Sequence, residues 1–153
     1  MIEIGTVNDR KVYYQKYGTD IPWSKDFPNE NWLLFAIVTN KEKTGLFEIS
    51  TELIENNVCY VCCAGEQNEL LHDIIDDDIV VREIERGYPP SVDIMTTWHS
   101  DIEDGLWFSI YAAYNNEVKI DTVVCLDGSG NDLEHELSNL LERFKQGYLP
   151  PDK

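Results

Sequence analysis

The 153-residue chain is 42% hydrophobic and 27% charged, the balance of an ordinary globular domain, but 29 acids against 12 bases give it a net charge of −17. A field of that sign opposes binding to nucleic acid and to anionic membranes, and favours a basic protein partner. No basic, apolar leader opens the chain and no apolar run is long enough to cross a bilayer, so a cytoplasmic location is expected.

Residues 1–30 read as an irregular amino-terminal cover, with a short strand over 12–17 and a loop whose Pro22, Trp23, Phe27 and Pro28 lie over a core. Strand and helix then alternate over 31–147. The run 32–39 is almost continuously apolar, as expected of a strand buried on both faces within a parallel sheet. Ser50 reads as the N-cap of a short helix carrying Leu53 and Ile54 and ended by Asn56-Asn57. A second buried strand over 58–63 closes at Ala64-Gly65. The second helix starts near Glu66, buries Leu70, Leu71, Ile74 and Ile75, and ends at Asp76-Asp77-Asp78.

Gly87-Tyr88-Pro89-Pro90 breaks the chain before a third strand over 92–97. The third helix presents Ile102, Leu106, Trp107, Ile110 and Tyr111 on one face. A fourth strand over 119–126 leads through the turn Asp127 to Asp132 into a helix with Leu133, Leu137, Leu140, Leu141 and Phe144 inward. Gly147 and Pro150-Pro151 end it. Four strand–helix units imply right-handed crossovers. The expected fold is α/β, one domain over 1–153: a three-layer sandwich with a mostly parallel central sheet of four to five strands covered by helices on both faces.

In such sheets ligands sit outside the carboxyl ends of the strands. Those ends supply Asn40, Glu66, Trp98 and Asp127 as ligand-binding candidates, and the segment Met95 to Asp101 is the most informative of them. His99, with its near-neutral pKa, reads as a general acid–base residue oriented by Asp101 or by a carboxylate from a neighbouring loop, or as a hydrogen-bonded turn residue. Trp98 reads as a stacking surface or a core aromatic.

His72 and Asp76, four apart and with Asp73 beside them, share a helix face, but no HExxH motif or second ligand pair accompanies them, and no metal or cofactor is expected. Cys59, Cys62, Cys63 and Cys125 lie within apolar strands, as buried, unreactive thiols do, and no G-x-S-x-G elbow is present. Sequence therefore leans away from an enzyme.

Residues 66–104 concentrate the charge, with twelve acids against Arg82 and Arg86. Three carboxylates in a row at a helix C-terminus oppose the dipole, a local conflict that often marks function, or else the helix has already ended and the run is a solvated loop. Asp73, Asp76, Asp77, Asp78, Glu103 and Asp104 are accordingly the candidates for contacting a basic partner.

A buried strand ending in Cys62-Cys63-Ala64-Gly65, then His72-Asp73, then Thr96-Thr97-Trp98-His99, resembles small bacterial α/β domains of unknown function. The resemblance covers about 31–145 and implies no particular activity. By size and charge the chain is also similar to small acidic immunity and antitoxin proteins. The expected function is an acidic interaction module, of immunity type in its most concrete form. The alternative is a small-ligand binder or hydrolase working around His99.

Overall fold

The computed structural model describes residues 1–87 and 89–151. Its six strands form one sheet in the order β1-β2-β6-β3-β4-β5. They are β1 (Ile2–Val7), β2 (Arg10–Lys16), β3 (Trp32–Val38), β4 (Tyr60–Ala64), β5 (Met95–Trp98) and β6 (Thr122–Gly128). β1 is antiparallel to β2, and every other neighbouring pair is parallel. The four α-helices are α1 (Lys43–Glu55), α2 (Asn68–Ile84), α3 (Ile102–Trp107) and α4 (Glu134–Lys145).

The three-layer α/β architecture is present. Every side chain of β3 and β4 is buried, as the unbroken apolar runs require of strands covered on both faces. On one face Leu46, Ile49 and Leu53 of α1 and Leu71 and Ile75 of α2 pack against Leu34, Ala36, Val61 and Val124. On the other, Leu106 of α3 and Leu137, Leu141 and Phe144 of α4 pack against Leu33, Phe35, Cys62 and Cys125. The aromatic loop does act as a cover: Trp23 and Phe27 are buried, and Tyr17, Trp23, Phe27 and Trp32 pack ring against ring in tilted or edge-on pairs at 5.2, 5.7 and 5.0 Å between ring centroids.

The structure departs from the sequence expectations at four places. The first 16 residues are a β-hairpin rather than an irregular segment, and they bring the sheet to six strands. Asn8 and Asp9 both take positive φ, 54° and 59°, the type I′ geometry that matches strand twist. Ser50 lies within α1, not at its start, and its hydroxyl donates to Asp78 Oδ2 at 2.9 Å. α2 continues to Ile84, so Asp76, Asp77 and Asp78 are mid-helix and do not oppose its dipole at the C-terminus. The last strand runs to Gly128, which places Asp127 inside the sheet. Tyr88, within the expected Gly87–Pro90 break, and residues 152–153 lie outside the described residues.

Candidate functional site

The five parallel strands place Asp127, Asn40, Glu66 and His99 at the carboxyl ends of β6, β3, β4 and β5, in that order along one edge. They share the edge but are spread along it. Asp127 and His99 are three strand spacings apart, about 14 Å at ~4.8 Å each.

Much of this edge is tied up by its own hydrogen bonds. Gln67 clasps the backbone after β3: its Oε1 accepts from Lys41 N and its Nε2 donates to Lys41 O, both at 2.8 Å. Asn68 Nδ2 donates to His99 O at 2.8 Å, joining the start of α2 to the end of β5. Glu66 and Asn40 are exposed, and the Glu66 N–H donates to Thr39 Oγ1 at 3.3 Å. Gly65 makes the turn at the end of β4 with φ +90°, where a Cβ would run into the Val38 carbonyl oxygen. Gln67 and Asn68 were missed because sequence singles out the charged Glu66 beside them. The signal was the polar trio following Ala64-Gly65, where the chain must turn from strand to helix.

Asp127 is 1% exposed and accepts four hydrogen bonds. Oδ2 takes the Tyr14 hydroxyl at 2.6 Å and Leu133 N at 2.9 Å; Oδ1 takes Ser129 N at 3.0 Å and Ser129 Oγ at 2.6 Å. This carboxylate ties β2 to the turn before α4. Burial, and then the bond to Asp127, push the Tyr14 phenol well above its ordinary pKa.

At the end of β5 side chains alternate between faces. Thr96 Oγ1 donates to Asp76 Oδ1 at 2.7 Å on the α2 face. Thr97 and His99 point to the α3 face. His99 is 6% exposed, with its ring 4.8 Å from that of Phe108, Nε2 at 2.9 Å from Thr97 Oγ1 and Nδ1 at 3.3 Å from Asp104 Oδ2. Because a carboxylate only accepts, the neutral imidazole carries its proton on Nδ1 and accepts at Nε2 from Thr97. Burial lowers the His99 pKa, opposed by Asp104 and then Asp101.

The carboxylate hydrogen-bonded to the imidazole is Asp104. Asp101 instead caps α3, accepting from Asp104 N at 2.7 Å. Gly105 lets α3 lie this close: a Cβ there would stand 2.6 Å from Phe35 Cε1 and 3.4 Å from His99 Cβ. The hydroxyl–imidazole–carboxylate order is chemically a base with its orienting group, enclosed beneath Phe108. Trp98 is half-exposed at the sheet edge and outside the core.

The buried thiols are poor nucleophiles. Burial pushes Cys59 up to about 11 and Cys62 up to about 12, and raises Cys63 and Cys125 as well. Among the described residues no three His, Cys, Asp or Glu side chains converge as a metal site, and no helix is long and apolar enough to cross a membrane.

The acidic candidates fall into two groups on opposite faces of the sheet. Asp73, Asp76, Asp77 and Asp78 belong to α2, and Glu103 and Asp104 to α3. Glu103 accepts from the Tyr148 hydroxyl at 2.7 Å and faces Arg143 at 3.8 Å. On the α2 side a groove of about 480 Å³ opens between α1 and α2. Phe47, Leu70, Ile74 and Val81 form its apolar lining, and Asp73, Asp77 and Asp78 its acidic one. Phe47 is exposed there despite its size.

Residues 12–144 match the family model described as Domain of unknown function (DUF7684). The chain belongs to that family. The match runs from β2 to the last turn of α4, so this DUF7684 domain takes in every parallel strand and all four helices and leaves out β1. No match is found among the curated proteins.

Proposed function

We infer that this protein is an acidic interaction module that docks a basic, amphipathic segment of another protein in the groove between α1 and α2. The observation that carries the reading is the pairing in one groove of an apolar lining with the carboxylates of Asp73, Asp77 and Asp78. These outnumber the Lys43 that also lines it, and Asp78 is already paired with Arg82. Apolar contact supplies affinity, and complementary charge supplies rate and selectivity. A role of immunity or antitoxin type, masking a basic toxin in the cytoplasm, is the most concrete form.

The test is calorimetric titration with a synthetic amphipathic helix of leucine and lysine, at low and high salt. Binding should weaken with salt, and by roughly tenfold or more in Asp73→Asn/Asp77→Asn and in Phe47→Ser. Affinity indifferent to salt and to these three changes would sink the groove as the docking site.

One observation favours a second reading, hydrolysis at β5: the order Thr97, His99, Asp104 is that of hydroxyl, base and orienting carboxylate. It requires ester hydrolysis that disappears in Thr97→Val while the fold is retained.

A further inference from the structure

The sheet stops at β5, and the backbone there has an unpaired side. Met95 N–H donates to Cys59 O at 3.3 Å and His99 N–H to Cys63 O at 2.8 Å. Backbone groups alternate along a strand, so residues 95, 97 and 99 face β4, while the N–H and C=O of Thr96 and Trp98 face outward. Among the described residues no strand pairs with them.

The flanks of this edge are specific. Met95 and Trp98 are half-exposed and lie on opposite faces, which gives each face an apolar contact. Each face also carries a partly exposed carboxylate: Asp76, held by Thr96 on the α2 side, and Asp104, held by His99 on the α3 side.

We propose that the outer edge of β5 accepts an extended segment of a basic protein as a seventh strand. Its main chain pairs with Thr96 and Trp98. Its side chains alternate between faces, so cationic residues reach Asp76 on one and Asp104 on the other, over the Met95 and Trp98 surfaces. A second copy of this chain is the wrong occupant, since it brings a net charge of −17 to the same carboxylates. The inference shares with the groove reading only the sign of the partner's charge.

The experiment uses a synthetic peptide of repeating Lys-Lys-Val-Val, which puts lysine and valine on both faces of an added strand, followed by anisotropy and by amide hydrogen exchange. Thr96→Pro removes an outward N–H and spares the β4–β5 ladder, and proline is tolerated on edge strands. Thr96→Val keeps the N–H and removes only the bond to Asp76. Saturating peptide should protect the Thr96 and Trp98 amides. Affinity should fall at least tenfold in Thr96→Pro and stay within a few-fold of the parent in Thr96→Val.

If Thr96→Pro fails to fold, exchange on the parent and on Thr96→Val decides. Unchanged exchange at both amides, equal affinity for the proline variant, or self-association of the free protein through β5 overturns the proposal. Binding of the leucine–lysine helix to Thr96→Pro separates the two sites: its survival leaves the groove standing whatever becomes of the edge.

Discussion

Asp127→Ala is the most demanding test of how the carboxyl edge is built. The substitution removes the common acceptor of four hydrogen bonds from Tyr14, Ser129 and Leu133 at a site 1% exposed. A hydrogen bond to a charged group contributes about 1.5–3 kcal/mol net, and each buried donor left unpaired costs about 1–3 kcal/mol. The two Ser129 groups are half-exposed and can recover partners in water, and the Tyr14 hydroxyl keeps a longer bond to Asp132 Oδ1 at 3.3 Å, whereas the Leu133 N–H loses its acceptor.

The sum after this allowance is about 4 kcal/mol, a large part of a typical stability of ~5–15 kcal/mol. For a chain of this size it lowers Tm by roughly 8–16 °C. Urea denaturation at neutral pH reads it directly. Tyr14→Phe alone should cost about 1–2 kcal/mol, and much less in the Asp127→Ala background, because its main partner is already gone. A cost below about 1 kcal/mol for Asp127→Ala, or full additivity with Tyr14→Phe, refutes the view of Asp127 as the knot of this turn.

Three further outcomes are expected. His99 has a lowered pKa in the folded chain, so the unfolded chain binds its proton first as pH falls. The His99 contribution to stability is therefore complete above its unfolded value near 6.5 and is lost below it, and His99→Gln should flatten the stability profile between pH 7.5 and 5 relative to the parent. Gly65→Ala combines a backbone clash at Val38 with φ +90°, and should cost about 3 kcal/mol or more by chemical denaturation. Arg10→Met removes the guanidinium bonds to the carbonyls of Ser109 and Ala113 around the π-helical turn Phe108–Ala112, and should cost about 2–3 kcal/mol with the loss of exchange protection centred there.

The layered fold was legible because β3, β4 and β6 are continuous apolar runs and each helix has a distinct buried stripe. The hairpin was not: β1 and β2 sit at the margin with mixed burial, and the Asn8-Asp9 turn was a signal that periodicity alone passes over. The helix-end reading of Asp76 to Asp78 failed for a different reason. Helix propensity disfavours three aspartates in a row, yet Thr96, Ser50 and Arg82 supply two of them with partners that no local rule anticipates. His99 was found because histidine is rare and distinctive. Its partner Asp104 is five residues away, and only the turn of α3 brings it to the ring.

The placement of that aspartate run constrains how the charge is used. Successive helical residues project about 100° apart, so Asp76 turns to β5, Asp77 to the groove, and Asp78 to α1 at the groove's wall. A run that reads as one block in sequence thus has three directions in space, and two of its members hold neighbouring elements together. The remaining charge is divided again by the sheet, with the α2 acids on one face and those of α3 on the other. At physiological ionic strength the screening length is about 8 Å, less than the thickness of a layered sheet, where one face lies ~10 Å from the next layer. A partner on one helical face therefore feels chiefly the carboxylates of that face. Beside β5, where Asp76 and Asp104 flank the same short strand, carboxylates from both faces would act together on the segment proposed to bind there.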